Sequence, residues 1–338
     1  MLTIDPPFFY GGPVPTARAG KHLHGFEEER RTIVQYLNRR TQVRLGIFGG
    51  PRSGKTSVLL AVANEIPSLR VHLDCAKIWP NTLDGFYRLL LDALEVRAAD
   101  GALSGPPAQA FLRLPVVKRG GRGVLVLENA HHLRDIDEAL LAELPILAVR
   151  VPYHFVLTGN AGALGTLVEA SLELKPFSEG TSNDFLRRRL SSVGLNVADD
   201  ALAVLYEFTR GEPDLLQRIG LIAWRQANQS GATRITAEAA DAAVGELVEQ
   251  LPTETVASWS AVRGIMRDAF IAMCLYDLES PTDIANRLGA EPKNVIVLLS
   301  RLATGHGLVE RAERGKYRVR NPLLKHYVRK EFGSPLLR

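Results

Sequence analysis

The 338-residue sequence predicts an α/β fold: a doubly wound parallel sheet, followed by a helical segment and a C-terminal winged helix-turn-helix. Three observations carry this expectation. Short apolar runs alternate with helical periodicity from residue 43 to residue 174; strand signals stop after Lys175-Pro176; and a helix, turn, helix and hairpin close the chain.

The elements follow in order. Pro6-Pro7-Phe8-Phe9-Tyr10-Gly11-Gly12-Pro13-Val14-Pro15 is neither helix nor central strand, because its prolines lack donors and fix φ. It reads as an extended arm laid on the body with its three aromatics tucked in. Glu27 to Arg40 is an amphipathic helix with Ile33, Val34 and Leu37 as its apolar stripe. Strands are expected at 43–48, 69–74, 123–128, 153–158 and 170–174, and helices at 55–65, 82–96 and 133–148. Val124-Leu125-Val126-Leu127 is apolar at every position, as a strand buried on both faces of a parallel sheet must be. Residues 99–109 read as a mobile loop.

Four helices come next, Phe185 to Leu190, Asp200 to Phe208, Asp214 to Asn228 and Ala237 to Glu249, several entered through Ser, Thr, Asp or Pro caps. The last unit has a helix over 261–276, a short helix Thr282 to Leu288, a turn at Gly289-Ala290, a helix from Pro292 to Leu302 and a hairpin from Leu308 to Arg320. The expected boundaries are 1–42 for the arm and first helix, 43–176 for the α/β domain, 177–255 for the helical lid and 256–338 for the winged helix.

Composition narrows the function classes. Apolar residues make up 46% and charged residues 23%, the balance of an ordinary globular chain. The sequence has no long apolar run and no signal-peptide pattern at Met1-Leu2-Thr3-Ile4-Asp5-Pro6, so a cytoplasmic protein with no membrane partner is expected. Cys75 and Cys274 are too few for a disulfide framework and read as buried thiols. His131-His132 is an adjacent pair whose side chains are expected to diverge, so no metal site is read there. Residues 301–338 hold ten Lys/Arg against three acids, which leaves 31 cations against 34 acids in the rest. The net charge of +4 therefore belongs to the C-terminal segment and points to an anionic partner at that end.

One motif makes the fold class a P-loop NTPase. Gly49-Gly50-Pro51-Arg52-Ser53-Gly54-Lys55-Thr56 fits G-x-x-x-x-G-K-[ST] between a strand and a helix that opens at Ser57. Such a turn leaves a row of backbone N–H groups at a positive helix end, which suits polyphosphate. Gly49 and Gly54 let the backbone curl, Gly50, Pro51, Arg52, Ser53 and Ser57 complete the cradle, Lys55 reaches the β and γ phosphates, and the Thr56 hydroxyl holds Mg²⁺. A second acid is needed for the water shell of the metal, and usually a further one to activate the attacking water. Glu128 after Val124–Leu127 can serve the metal; Asn129 stands at the place of the activating acid, and an amide orients a water without taking its proton. Asp74, ending the second strand, is either a substitute base or simply a polar strand end. A polar group facing the γ-phosphate is expected on the strand between the two motif strands, with Thr158 and Asn160 as candidates.

Together, the P-loop, the second motif on the third strand, the polar sensor strand, the helical lid and the winged helix resemble the AAA+/STAND class of ATPases, in particular its archaeal-type and origin-initiator-like members. His24-Gly25-Phe26-Glu27-Glu28-Glu29 is similar to that class's G-R-E-x-E box beside the adenine, with Phe26 in place of Arg. Gly211-Glu212-Pro213 is similar to the G-x-P motif of the lid, whose Pro lies near the base. The resemblance implies ATP as the nucleotide, with Gly25, Phe26 and Pro213 near it; no N-K-x-D guanine motif is present. Asn160 stands where many STAND proteins carry Arg, and Asp214 near where AAA+ proteins carry the lid's sensor Arg. These departures imply a slow ATPase or ATP-dependent switch more than a processive motor.

At the C-terminus, Lys316-Tyr317-Arg318-Val319-Arg320 alternates, so Lys316, Arg318 and Arg320 share one face, with Arg311 and Arg314 flanking the turn at Gly315. These cations suit DNA phosphates. The helix from Pro292 is apolar nearly all round and offers only Lys293, Asn294, Ser300 and Arg301 to a base edge, so sequence-specific readout is not expected. Two partners stay open: DNA held by its backbone, or a protein or second copy of the chain.

Overall fold

The structure, a computed structural model, describes residues 8, 23–50, 52–66, 69–78, 80–93, 123–136, 140, 144, 153–159, 161–251, 253–313 and 315–333. The expectations for Pro51, Phe9, Tyr10, Asn160, Arg314 and the 99–109 loop lie outside these residues. The chain forms two compact units: an α/β unit of residues 9–177 and 212–214, and a helical unit of residues 1–8, 178–211 and 215–338.

In the α/β unit, helix α1 (Glu27–Leu37) precedes strand β1 (Arg44–Phe48), α2 (Lys55–Ala63), β2 (Leu69–Asp74), α3 (Leu83–Ala93), β3 (Gly123–Glu128), α4 (Leu133–Ile136), β4 (Tyr153–Gly159), α5 (Ala161–Leu164) and β5 (Ala170–Glu173). The five strands form one parallel sheet in the order β2-β3-β4-β1-β5. Crossovers of this kind put helices on both faces, which is why β3 is buried from Gly123 to Leu127 and β4 from His154 to Gly159. Leu73, Phe86, Leu90, Leu127, Leu133 and Leu157 fill one side of the sheet. The order also carries the functional geometry. Strand β4 lies between β1, which leads into the phosphate loop, and β3, which ends at Glu128. The C-terminal ends of β1, β3 and β4 therefore meet at one edge, where ligands bind in open parallel sheets.

The helical unit holds α6 (Glu179–Ser191), β6 (Asn196–Val197), α7 (Asp199–Thr209), α8 (Pro213–Ser230, from Leu215 onward), β7 (Arg234–Ile235), α9 (Ala237–Glu249), α10 (Thr253–Ser260), α11 (Gly264–Tyr276), α12 (Pro281–Leu288), α13 (Pro292–Thr304), β8 (Val309–Glu313), β9 (Lys316–Val319) and α14 (Pro322–Phe332). Caps set several starts: Ser178 accepts from Thr181 N, Thr236 from Ala239 N, and Ser280 and Asn321 each precede a proline at the first helical position. The helix–helix–helix–hairpin order of residues 264–319 is present and encloses a core of Phe270, Ile284, Val295, Leu299, Leu302 and Leu324. Phe8 is 2% exposed; its ring lies 6.0 Å edge-on to Phe185 and against Gly220, where a Cβ would stand 2.4 Å from the ring.

Among the described residues, the additions to the sequence expectation are the short helix α5, the two-residue parallel pair β6–β7, helix α10 and helix α14. Among the described residues no helix is long and apolar enough to cross a membrane.

Candidate nucleotide-binding site

The phosphate loop is built as its sequence demands. Gly49 has φ +151, and a Cβ there would lie 2.6 Å from Ser53 Oγ and 2.9 Å from the Leu174 carbonyl oxygen. Gly54, at φ +94, caps α2 in a left-handed conformation, with the Phe26 ring 2.9 Å from where its Cβ would be. Any side chain at either position would have to displace the coil. Ser53 is buried, Gly50 is open, and Arg52 adopts a left-handed conformation at φ +60. Arg52 Nη1 lies 3.1 Å from Asp214 Oδ2, in a pair whose arginine is 63% exposed and therefore contributes little to stability.

Lys55 Nζ donates to the carbonyls of Gly49 (2.9 Å) and Gly50 (2.7 Å) and to Ser53 Oγ (3.3 Å). Burial holds its pKa below the ordinary lysine value, and the nearby Glu128 carboxylate opposes that shift. The ammonium is folded onto its own loop, with carbonyl dipoles as its acceptors. Phosphate oxygens are stronger partners for the same donors.

Across the site, the Thr56 hydroxyl donates to Glu128 Oε1, and His72 Nε2 lies 2.7 Å from Glu128 Oε2. Burial pushes the Glu128 carboxyl up, but hydrogen bonds from His72 and Thr56 outweigh it and leave the pKa below the usual carboxylate value. A hydroxyl and an ionised carboxylate in contact, beside a lysine, are the donor set that suits a hydrated Mg²⁺ next to phosphate. Thr56 and Glu128 fit that ion.

Asn129 follows in a left-handed conformation at φ +54, which Asn tolerates better than most side chains. Its backbone N–H donates to Thr158 Oγ1 (3.1 Å) and its side-chain amide to Asp74 Oδ1 (2.9 Å). Thr158 is fully buried and braces the end of β3. Asp74 also accepts from Ala76 N–H (3.2 Å) and pairs with Lys77 Nζ (3.2 Å). Burial raises its pKa, yet the hydrogen bonds from Asn129, Ala76 and Lys77 prevail and hold it below the ordinary aspartate value. A carboxylate with this many donors is a weak base, and Asp74 behaves as the polar end and cap of its strand.

Behind the loop, Phe26 is 3% exposed and its ring lies 4.8 Å from that of Phe177; Gly25 abuts the same Phe177 ring. Phe26 thus lies packed beneath Gly54, in the position the family resemblance gives to an arginine. Glu27 Oε2 accepts from Gly25 N–H (3.1 Å), and Arg30 pairs with Glu65 at 3.0 Å, tying α1 to the end of α2. Ser57 lies in the first turn of α2, and Pro213 opens α8.

Two residues of this site were not singled out in the sequence. Strand alternation puts His72 on the same face of β2 as Asp74, a signal that was available, but its approach to Glu128 depends on the pairing of β2 with β3. Phe177 follows the Lys175-Pro176 break and carries no motif. One further finding qualifies the sequence reading, and another agrees with it. The His131 and His132 rings do not diverge but lie 4.4 Å apart, because the residues share a single tight turn, Ala130–His132. Cys75 and Cys274 are buried free thiols as expected, and burial pushes both up to about 12, away from the thiolate form.

In the C-terminal hairpin, Lys316, Arg318 and Arg320 are exposed and Tyr317 is buried. The register sets Glu310 opposite Arg318, at 3.7 Å, and Arg311 opposite Tyr317, with a bulge between Arg311 and Glu313. Arg311 therefore stands on the Tyr317 face, and an acid joins the cationic face. On α13, Lys293, Asn294, Ser300 and Arg301 are exposed, and so are Ile296 (46%) and Val297 (50%). Lys325 and Arg329 both pair with Asp277, and Lys330 lies 3.5 Å from Glu249.

Comparison with known proteins bears on the family and the fold. Residues 39–167 match the AAA domain family. The chain is 25% identical over 244 residues to the replication factor C small subunit 2 of Pyrobaculum aerophilum, an alignment spanning 70% of this chain and 69% of that one. Among solved structures it is similar to a Walker-type ATPase of Pyrococcus abyssi, with a TM-score of 0.63 and 17% identity, covering 91% of this chain and 97% of that one. It is also similar to the Orc1 protein of Aeropyrum pernix in complex with DNA, with a TM-score of 0.51 and 17% identity, covering 93% and 95%. At these identities the structural likenesses establish the fold.

Proposed function

We propose that this chain, whose residues 39–167 match the AAA domain family, is an AAA+-type ATPase that works as an ATP-dependent switch. It binds ATP with Mg²⁺, hydrolyses it slowly, and through its nucleotide state controls how the basic C-terminal hairpin engages DNA. The observation that carries the reading is the meeting of Lys55, Thr56 and Glu128 at the sheet edge, with Asn129 in place of the activating acid.

In this mechanism Lys55 exchanges the carbonyls of Gly49 and Gly50 for β and γ phosphate oxygens. Thr56 and Glu128 are the residues that would hold Mg²⁺ and its waters. When bound, that ion neutralises charge developing on the phosphate oxygens. Thr158 fixes the backbone at residue 129, so the Asn129 amide can orient a water. No carboxylate at that position takes the proton, and turnover is slow as a result.

DNA engagement is supported by the exposed row Lys316, Arg318 and Arg320 and by Lys293 and Arg301 on α13, the helix that stands where a winged helix-turn-helix carries its recognition helix. Orc1 of Aeropyrum pernix, a fold relative, is itself seen in complex with DNA. A second reading, in which α13 contacts a protein or another copy of this chain, is favoured by the exposure of Ile296 and Val297.

The test is ATP binding and turnover, with and without duplex DNA, for the wild type and Lys55→Ala. The wild type is expected to bind ATP and turn over at about 10⁻⁴ to 10⁻² s⁻¹, the range of P-loop proteins working without a supplied arginine or with one in cis. Lys55→Ala is expected to lose both binding and turnover. Changing Lys316, Arg318 and Arg320 together to Ala should lower the slope of log affinity for DNA against log salt by about 3. Salt-insensitive binding overturns the DNA reading, and ATP-dependent self-association without DNA affinity selects the second one.

A further inference from the structure

The usual metal-shell acid of a P-loop site is an aspartate; Glu128 is one methylene longer and has an extra torsion to hold. A longer carboxylate is useful to a metal only if something fixes its rotamer. The structure supplies two contacts, one on each oxygen. The Thr56 hydroxyl, from the first turn of α2, takes Oε1. His72, from the middle of the neighbouring strand β2, takes Oε2 at 2.7 Å. An ionised carboxylate only accepts, so His72 Nε2 carries the hydrogen and donates it. The pairing explains the reach: His72 stands opposite Val126 and Asp74 opposite Glu128, so the His72 ring extends forward along the strand by two residues to the carboxylate. The Glu128 side chain is 12% exposed, while His72 reaches it from the exposed side of the contact.

We propose that His72 is a positioning residue of the nucleotide site, holding Glu128 by Oε2 so that Oε1 stays directed at Thr56 and at the place Mg²⁺ would take. The proposal rests on the reading that Thr56 and Glu128 hold the metal of bound ATP. In this role His72 bears on the nucleotide and metal only through Glu128. It acts as outer-shell partners of metal ligands do, by confining the ligand to the geometry that binds. His72 and the extra methylene of Glu128 form a matched pair: the longer acid needs a prop, and the adjacent strand provides one.

The experiment measures the affinity of a fluorescent ATP analogue across a Mg²⁺ series and in EDTA, for wild type, His72→Phe and His72→Gln. His72→Phe keeps a ring of similar size without the donor, and His72→Gln keeps a donor. His72→Phe is expected to raise the Mg²⁺ concentration needed for half-maximal enhancement of binding by about 10-fold or more, the range for loss of an outer-shell partner, with affinity in EDTA unchanged. His72→Gln should recover most of that shift. A wild-type Mg²⁺ dependence in His72→Phe overturns the proposal and leaves the metal assignment standing. Equal loss of binding in EDTA also overturns it, because that result marks a merely structural role. If the wild type shows no Mg²⁺-dependent ATP binding, the underlying reading of the site fails instead. Should His72→Phe not fold, His72→Gln and His72→Leu carry the comparison, with their melting curves confirming a folded chain.

Discussion

Asn129 binds three strands together. Its backbone N–H is held by Thr158 on β4, its amide by Asp74 on β2, and the residue itself directly follows β3. Restoring an acid at this place with Asn129→Asp would set two carboxylates in contact, and one of them would have its pKa raised. A pKa raised in the folded state makes the deficit small at low pH, where the pair is protonated, and full once pH exceeds the raised value. Asn129→Asp should therefore lose about 1–3 kcal/mol at pH 7.5, the cost of an unsatisfied buried polar group, and much less at pH 4. The swap Asp74→Asn with Asn129→Asp should recover most of that loss. Thermal melts at the two pH values read both effects. At this scale the sequence was informative where chemistry is carried by spacing along one chain segment, as at Gly49 to Thr56, and at Glu128 after its apolar strand. It was mute on His72 and Phe177, whose roles arise from strand pairing and from packing against Gly54 and Gly25.

The strands of the sheet were legible because a run buried on both faces leaves an apolar signature of its own length, as Val124 to Leu127 does. Helix α14 was hidden by its charge. Lys325, Arg329 and Lys330 read as part of a cationic tail, yet Leu323, Leu324 and Val328 bury its other side, and Asp277 and Glu249 pair those cations. Among the described residues, Lys325, Arg329 and Lys330 therefore offer an anionic partner less than their number in the sequence implies. The same helix carries His326, edge-on to Phe208 of α7 at 5.5 Å. Burial lowers the His326 pKa, the Arg329 and Lys330 charges lower it further, and Asp241 and Glu207 oppose them. With its folded pKa below the unfolded value, His326 takes up its proton more readily in the unfolded chain. Stability should fall as pH drops below about 6.5 and level off beneath the folded pKa. His326→Phe should flatten that part of the stability curve, as chemical denaturation between pH 5 and 8 will show.

Across the whole molecule the chain visits its two units out of order: residues 1–8 belong to the helical unit, 9–177 to the α/β unit, and nearly all the rest to the helical unit again. The sequence placed an arm at the N-terminus but not its destination, because proline and aromatic content say what a segment cannot be and leave open what it touches. Segments 177–255 and 256–338 share a single unit because α14 packs on α7 and α9 as well as on α11. Phe8→Ala is expected to destabilise the helical unit by about 3–5 kcal/mol, the cost of truncating a buried Phe, and denaturant titration of the full chain will measure it. The docking of Phe8 beside Gly220 also has a consequence for the order of events during synthesis. At about 5–20 residues per second, Phe8 leaves the ribosome roughly ten to forty seconds before Gly220 is made. The helical core is thus completed by a residue translated before the parallel sheet, which waits through the making of that entire sheet before its place exists.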